Sequence, residues 1–220
     1  MHEFAERFAQ YCESSFDLTA KSEYDYQSLS VCIVDCVYSL NAKYYEHTVP
    51  VVKRYAREYM GGDSLAPGDT VSMLIQRMDE MGHPEFVERV LRNHQKLGGK
   101  NKIPKEEVTY QLARYLRDLH IETIEDFRNF ESQEILEIVV RAVRGLGDAG
   151  VNYLFMLAGD PNRCKPDVHI HQCIQEVCGQ DISDEACQEL FADAVALLRR
   201  QHPDLTARNL DGIVWRAYHQ

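Results

Sequence analysis

Apolar residues recur along this chain every three or four positions, the spacing that places side chains on one face of a helix. Three such stripes each follow a serine or threonine, residue types favoured at helix N-caps. They comprise Val49, Val52, Ala56 and Tyr59 after Thr48; Ile135, Leu136, Val139, Val140 and Val143 after Ser132; and Leu190, Phe191, Ala194, Val195 and Leu198 after Ser183. Convincing strand-like alternation is absent from the sequence. The pattern therefore predicts an all-α protein.

Glycine and proline residues interrupt this pattern and suggest how the chain is organised. We expect the 220 residues to form a single unit with two lobes. Lobe A comprises about residues 1–55 together with 160–220, and lobe B comprises about residues 60–155. The best candidate for a loop is 98–105, whose lysines either contact a phosphate backbone or lie in solvent.

Composition and charge restrict the classes of function. The sequence has no apolar run long enough for a membrane span and does not begin like a signal peptide, so we expect a cytoplasmic protein with no membrane partner. Seven cysteines without the density of a disulfide scaffold predict reduced thiols, with Cys32 and Cys36 packed in a core. The net charge of −11 predicts weak nonspecific binding to DNA.

A short glycine-containing turn is the most informative stretch of the sequence. Val143-Arg144-Gly145-Leu146-Gly147 follows one predicted helix and immediately precedes another. Glycine permits positive φ and close approach of the backbone, and the amides that begin a helix favour an anion. Such a turn is either purely structural or a site that holds a DNA phosphate through the backbone of Gly145, Leu146 and Gly147, with Arg144 beside it.

A second motif lies downstream, where Pro166-Asp167-Val168-His169 places Asp167 at the predicted start of a helix. Together the two motifs resemble the helix-hairpin-helix DNA glycosylase superfamily of endonuclease III and the adenine glycosylases. That family has a Leu-Pro-Gly-Val-Gly-type hairpin, then an apolar helix and Val-Asp-Thr-His at the same spacing. Upstream, Val37-Tyr38-Ser39-Leu40-Asn41-Ala42 is similar to the family's Leu-Leu-Ser-Ala-Gln-Ala.

The resemblance implies a two-lobed helical glycosylase fold and a role for each matched residue. Asp167 would stabilise the positive charge that develops on the sugar when the N-glycosidic bond breaks. Asn41 would contact the gap left in the DNA when the base leaves the stack. Ser39, Tyr153 and His169 would lie at the base pocket. From the residues alone, Asp167 is also a candidate helix N-cap.

Three departures from the family pattern exclude some of the reactions and cofactors found in its members. Bifunctional members carry a nucleophilic lysine after the hairpin, whereas the matching residue here is Ala149, so we expect hydrolysis by water without lyase activity. Asp148 stands where the family often has a basic residue, which favours weaker binding to DNA. Cys173, Cys178 and Cys187 lack the spacing of the relatives' iron–sulfur cluster, and we expect no cofactor and no metal site.

Three hypotheses follow from these observations. The first is a monofunctional glycosylase that acts on duplex DNA with a damaged or modified base in base-excision repair. The second is a glycosylase-fold module that has lost catalysis and binds DNA or a protein, which Ala149, Asp148 and the acidic composition favour. The third is a structural or small-molecule-binding helical protein in which the hairpin is coincidental.

Overall fold

The computed structural model describes residues 2–19, 25–98 and 102–219. These residues are mostly helical, as the hydrophobic pattern predicts. The α-helices are α1 His2–Ser15, α2 Leu29–Ser39, α3 Val49–Tyr59, α4 Val71–Met81, α5 His83–Phe86, α6 Lys105–Asp118, α7 Ile124–Asn129, α8 Gln133–Arg141, α9 Gly147–Leu157, α10 Val168–Cys178, α11 Asp184–Leu198 and α12 Ala207–Tyr218. Two π-helical turns cover Tyr44–Thr48 and Val87–Leu91, and a short antiparallel ribbon pairs β1 Lys96–Leu97 with β2 Ile103–Pro104. None of the described helices is long and apolar enough to cross a membrane.

The chain divides into two compact units. The terminal unit is drawn from segments 1–24 and 160–220, and the central unit from 25–159. This division differs from the predicted lobes, in which residues 25–55 belong with the termini. Those residues group with the central unit because α2 packs against α3, α4, α6 and α9. The Gly145–Gly147 hairpin therefore belongs to the central unit and Asp167 to the terminal unit.

The terminal unit is built on α1, α10, α11 and α12. Helix α1 packs on α10 and α11, while α12 packs on the same two helices. The rings of Phe8 and Phe191 meet in its core with centroids 5.2 Å apart. Ser183 is the N-cap of α11, as predicted, and its hydroxyl accepts the backbone N–H of Ala186.

Helix α2 is the core element of the central unit. Every one of its residues is buried, which fits its apolar character on all faces. The thiols of Cys32 and Cys36 donate to the carbonyls of Leu157 and Gly150 on α9, so the predicted burial of both cysteines is confirmed. A Cβ at Gly150 would stand 3.2 Å from the side chain of Leu40, the C-cap of α2, so glycine at this position permits the close approach of α9 to α2.

Helix α8 departs in part from its predicted stripe. Ser132 caps it as predicted, accepting the backbone N–H of Ile135. Leu136 and Val140 are buried, but Ile135 is 52% exposed, so its assignment to the buried stripe is wrong. The helix carries apolar residues on two faces, and a pattern of spacing alone does not show which of the two meets the core.

A buried carboxylate links α2 to the elements around it. Asp35 is fully buried, and its Oδ2 accepts hydrogen bonds from the hydroxyls of Tyr26 (2.7 Å) and Tyr44 (2.6 Å). Its Oδ1 accepts from Tyr153 of α9 at 2.9 Å. Burial and the Asp35 charge together raise the pKa of Tyr26, so that phenol stays protonated and donates. This tyrosine cluster fixes α9, and with it the start of the hairpin helix, to α2.

We expect Tyr153→Phe to lower the free energy of unfolding by about 1–3 kcal/mol, because it removes a donor from a buried carboxylate. Urea unfolding followed by circular dichroism measures the loss. Tyr110→Phe is the matched control, since Tyr110 donates to Asp79 at 2.6 Å on the surface. Equal losses in the two variants would show that the Asp35 cluster does not hold the central unit together.

Candidate functional site

Asp167 is the N-cap of α10, at the helix start that the sequence predicts. Its Oδ1 accepts the backbone N–H groups of His169 (3.0 Å) and Ile170 (3.2 Å), which are the contacts of an ordinary cap. Its Oδ2 accepts the indole N–H of Trp215 on α12 at 3.0 Å, a contact that capping does not require. Three N–H donors therefore fix the orientation of this half-buried carboxylate.

Aromatic rings surround the carboxylate on the terminal unit. The Trp215 ring lies 4.2 Å from that of His219 and 6.0 Å from that of His169, and the two histidine rings are 5.0 Å apart, between centroids. All three side chains are partly exposed. Burial and the neighbouring His169 lower the pKa of His219, so its imidazole is neutral at pH 7. We call Asp167, His169, Trp215 and His219 the Asp167 cluster.

A second carboxyl group, which the sequence analysis does not identify, supports the same segment. Asp211 of α12 is 3% exposed, and its Oδ1 accepts the backbone N–H of Lys165 at 2.8 Å. The carbonyl of Lys165 in turn accepts the backbone N–H of Asp167 at 2.7 Å. Burial raises the pKa of Asp211 to about 8, and the charge of Asp167 acts in the same direction. Asp211 is thus a neutral acid at pH 7.

The hairpin of the central unit has the backbone that its glycines predict. Gly145 and Gly147 have φ of +95° and +65°, a region that favours glycine, and α9 begins at Gly147. A Cβ at Gly147 would meet no atom within 4 Å, so space is open beside this backbone. The N–H of Leu146 donates to the carbonyl of Val143 and its side chain is buried, so the expectation that Leu146 offers its amide to a phosphate is wrong.

Charged groups near the hairpin are partly paired with each other. Arg141 forms ion pairs with Asp148 and Glu137, so the unfavourable charge of Asp148 is offset within the hairpin. Arg144 is exposed and lines an open groove of about 590 Å³ together with Lys102, Ile103, Glu107 and Gln111. Among the described lining residues, Arg144 and Lys102 are cationic and Glu107 is anionic.

The lysines of the 98–105 loop candidate differ in environment. Lys105 is buried, and its ammonium donates to the carbonyl of Tyr38 (2.8 Å) and the side chain of Gln95 (2.9 Å). It is not a solvent-facing contact for phosphate. Lys102 is exposed, and Lys100 lies outside the described residues.

The other predicted site residues belong to the central unit, and two of them are core residues. Tyr153 is 4% exposed with its hydroxyl on Asp35, and Ser39 is 7% exposed with its hydroxyl donating to the carbonyl of Cys36. Both are therefore core groups, Ser39 as a buried residue of α2 and Tyr153 through its hydrogen bond to α2. Asn41 is exposed and is the second residue after α2, with φ of +50°, which asparagine tolerates better than most residues. Among the predicted pocket residues, His169 belongs to the same unit as Asp167, whereas Ser39 and Tyr153 belong to the central unit.

No group of three or more histidine, cysteine or acidic side chains within the described ranges is arranged to hold a metal ion. The thiols of Cys173, Cys178 and Cys187 are buried. Burial raises the pKa of Cys173 to about 12, so this thiol packs as a protonated, apolar group.

Comparison with known proteins places the whole of this arrangement within one family. A sequence model of the family DUF8548, described as a domain of unknown function, matches residues 6–219. The chain therefore belongs to the DUF8548 family, and the match includes the hairpin, Asp167 and α12. No curated protein and no solved structure matches the chain.

The environment of Asp211 predicts how stability depends on pH. Its pKa is about 8 when folded and has its ordinary value of 3.8 when unfolded, so between these values the folded state binds the extra proton. Stability from this group is therefore full below about pH 4, falls by up to about 1.4 kcal/mol per pH unit and levels off above about pH 8.

Asp211→Asn keeps an oxygen acceptor for the Lys165 N–H but does not titrate. We expect the variant to gain stability over wild type as pH rises from 5 to 8, measured by urea unfolding at each pH. Asp193→Asn, an exposed position on α11, is the control for general loss of a negative charge. A difference between Asp211→Asn and wild type that does not change with pH would show that Asp211 is ionised throughout.

Proposed function

We propose that this protein is a monofunctional DNA glycosylase of base-excision repair, which hydrolyses the N-glycosidic bond of a modified base with water. One observation carries the proposal. The aspartate that the helix-hairpin-helix resemblance selects has both carboxylate oxygens oriented by three N–H donors, one of which is not needed for its role as a cap. A preorganised charge of this kind is what a developing cation on a sugar requires.

The proposed reaction uses the carboxylate as a fixed charge. The base first leaves the stack. The electron pair of the N-glycosidic bond then departs with the base, and the positive charge that develops on the sugar faces the Asp167 carboxylate. Water forms the new bond to the sugar carbon and loses a proton, while the base gains one. Ala149 has no amine to form a Schiff base, so the product is an intact strand with an abasic site.

The hairpin supplies the contact with the DNA backbone in this proposal. The first amides of α9 have no partner within the helix, and an anion is favoured at a helix N-terminus. Gly147 leaves the adjacent space open, and Arg144 and Lys102 add positive charge in the neighbouring groove. The division of the chain also supports the proposal, because the two chain ends form one unit and the hairpin belongs to the other, as the glycosylase resemblance implies.

A second candidate function is a glycosylase-fold module that binds DNA or a protein without catalysis. Two observations favour it. Every hydrogen bond of Asp167 also stabilises the terminal unit, since two cap α10 and one ties α10 to α12. In addition, the hairpin's Arg141 is paired with Asp148, which leaves few cations for phosphate at a protein whose net charge is −11.

Asp167→Asn separates the two functions. Asparagine is as good an N-cap as aspartate, but it lacks the charge. If Asp167 is catalytic, single-turnover base release should fall by about a hundredfold or more, which corresponds to about 2.7 kcal/mol. The assay uses duplexes with alkylated, oxidised or deaminated bases, followed by alkali to cleave abasic sites, because Ala149 provides no lyase step.

The stability of these variants provides the control. Asparagine places an amide N–H₂ near the indole N–H of Trp215, so we expect Asp167→Asn to lose about 1 kcal/mol of stability. Asp167→Ser retains a capping oxygen without an amide. Loss of base release in both variants, with their circular dichroism unchanged, supports catalysis. Wild-type protein that binds every duplex and releases no base would favour the binding module.

Substitution of Gly147 tests the hairpin as the phosphate contact. Asn adopts the left-handed backbone of this position more easily than Val, but both add a Cβ in the open space. We expect both variants to weaken duplex binding by about tenfold, while only Gly147→Val loses about 1–2 kcal/mol of stability. Gly61→Asn is the matched control, since Gly61 has φ of +64° and equally open surroundings. Duplex affinity unchanged in Gly147→Asn would exclude the hairpin as the contact.

Salt dependence of wild-type binding supplies a further measure of the same contact. Two cations in the groove neutralise two phosphates, so the plot of log affinity against log salt should have a slope of magnitude about 2. Arg144→Ala should reduce this slope by about 1. A slope that does not change in Arg144→Ala would show that the DNA backbone lies elsewhere.

A further inference from the structure

One face of α12 meets the segment that carries Asp167. Asp211, Trp215 and His219 are each four residues apart, so they share a side of the helix and its C-cap. Asp211 accepts the N–H of Lys165, and Trp215 donates to Asp167. The His219 ring packs on Trp215 and lies 5.0 Å from that of His169. Successive turns of α12 therefore contact successive parts of 165–169.

The Trp215 contact does more than a helix start requires. Both cap hydrogen bonds use Oδ1, so the start of α10 is satisfied without Oδ2. Hydrogen bonds at Oδ1 alone tolerate a range of angles, so the carboxylate plane can still vary by small rotations about the Cβ–Cγ bond. The indole N–H at Oδ2 adds a donor at the second oxygen and restricts these rotations further. Because the Trp215 ring packs against His219 and meets the His169 ring at its edge, its own position is restricted.

Asp211 supports the backbone at Lys165, just before Asp167. The Lys165 peptide is bonded on both sides, since its N–H donates to Asp211 and its carbonyl accepts the N–H of Asp167. Asp211 is fully buried, so it acts only through this backbone. Its protonated state at neutral pH also avoids a second negative charge beside Asp167, which would repel the first.

We propose that Trp215 is the positioning residue for the Asp167 carboxylate, with Asp211 as a second, indirect support from the same helix. The catalytic consequence of this contact rests on the proposed function, whereas the hydrogen bond between Trp215 and Asp167 does not depend on it. Trp215 keeps the carboxylate plane in one orientation, so that the charge is in place before the N-glycosidic bond breaks. Without this bond the carboxylate samples orientations that stabilise the sugar cation less well.

The first test uses the single tryptophan of the chain, whose indole N–H gives one resonance in a ¹H–¹⁵N spectrum. In wild type that proton is bonded to a carboxylate, so we expect it to resonate downfield and to exchange slowly with water. Asp167→Asn should move the resonance upfield and speed its exchange. Asp193→Asn should leave it unchanged. An indole resonance whose position and exchange rate are unchanged in Asp167→Asn overturns the proposal, whether or not the protein releases base.

The second test measures base release in Trp215→Phe, which keeps an aromatic ring but has no N–H. We expect the maximal single-turnover rate to fall by about tenfold to a hundredfold, with the half-saturating enzyme concentration changed less than about twofold. Tyr218→Phe is the matched control, because Tyr218 lies on the same helix and its hydroxyl bonds with that of Tyr11 at 2.9 Å. Its rate should equal that of wild type.

The outcomes distinguish the positioning role from the proposed function. If Trp215→Phe and Tyr218→Phe release base at the same rate as wild type, Trp215 does not position a catalytic group and the proposal is overturned. If Trp215→Phe changes the half-saturating concentration but not the maximal rate, Trp215 contacts the substrate instead, which also overturns it. Wild-type protein without any base release refutes the proposed function, while the indole resonance still decides whether Trp215 holds Asp167.

Discussion

A carboxylate that leaves water must receive hydrogen bonds from the protein, and this constraint organises both units. In the central unit Asp35 receives three tyrosine hydroxyls, and Asp69 receives Ser30, Tyr55 and an ion pair with Arg77. In the terminal unit Asp167 receives three N–H groups. Asp211 is the exception, because one backbone donor does not offset complete burial, and the group stays protonated at neutral pH. A chain of net charge −11 thus uses some of its acids to define the positions of its helices.

The features that local chemistry determines could be predicted from the sequence. The caps at Ser132 and Ser183 follow from residue type and the apolar stripe behind each, and the cap at Asp167 follows from residue type. The left-handed backbone of Gly145 and Gly147 follows from the freedom of glycine in a tight turn. Features that depend on partners distant in sequence could not be predicted. Thr48 directly precedes α3, but its hydroxyl donates to the Tyr38 carbonyl instead of capping the helix. The membership of residues 25–55 in the central unit depends on what α2 packs against, which spacing does not reveal.

In the candidate site, too, the residues set by local sequence could be predicted and those that depend on distant partners could not. Asp167 was identifiable because its place after the hairpin matches a family pattern, and His169 because it follows closely in sequence. Trp215 and Asp211 lie 48 and 46 residues from their partners, so the sequence around Asp167 does not identify them. The four-residue spacing of Asp211, Trp215 and His219 was a usable signal, since polar and aromatic residues along one helix face often mark a contact surface. Tyr153 and Ser39 illustrate the opposite error, because polar groups near a motif can be satisfied inside the core.

Asp167 and the hairpin belong to different units of one family domain, and the proposed function requires both. The proposed glycosylase activity releases a base from DNA without cutting the strand. Mass spectrometry of wild-type protein incubated with duplexes that carry alkylated, oxidised or deaminated bases measures this most directly. This activity should leave a free modified base and an intact strand with an abasic site. Duplexes that are bound but keep every base, or strands that are cut without alkali, would contradict it.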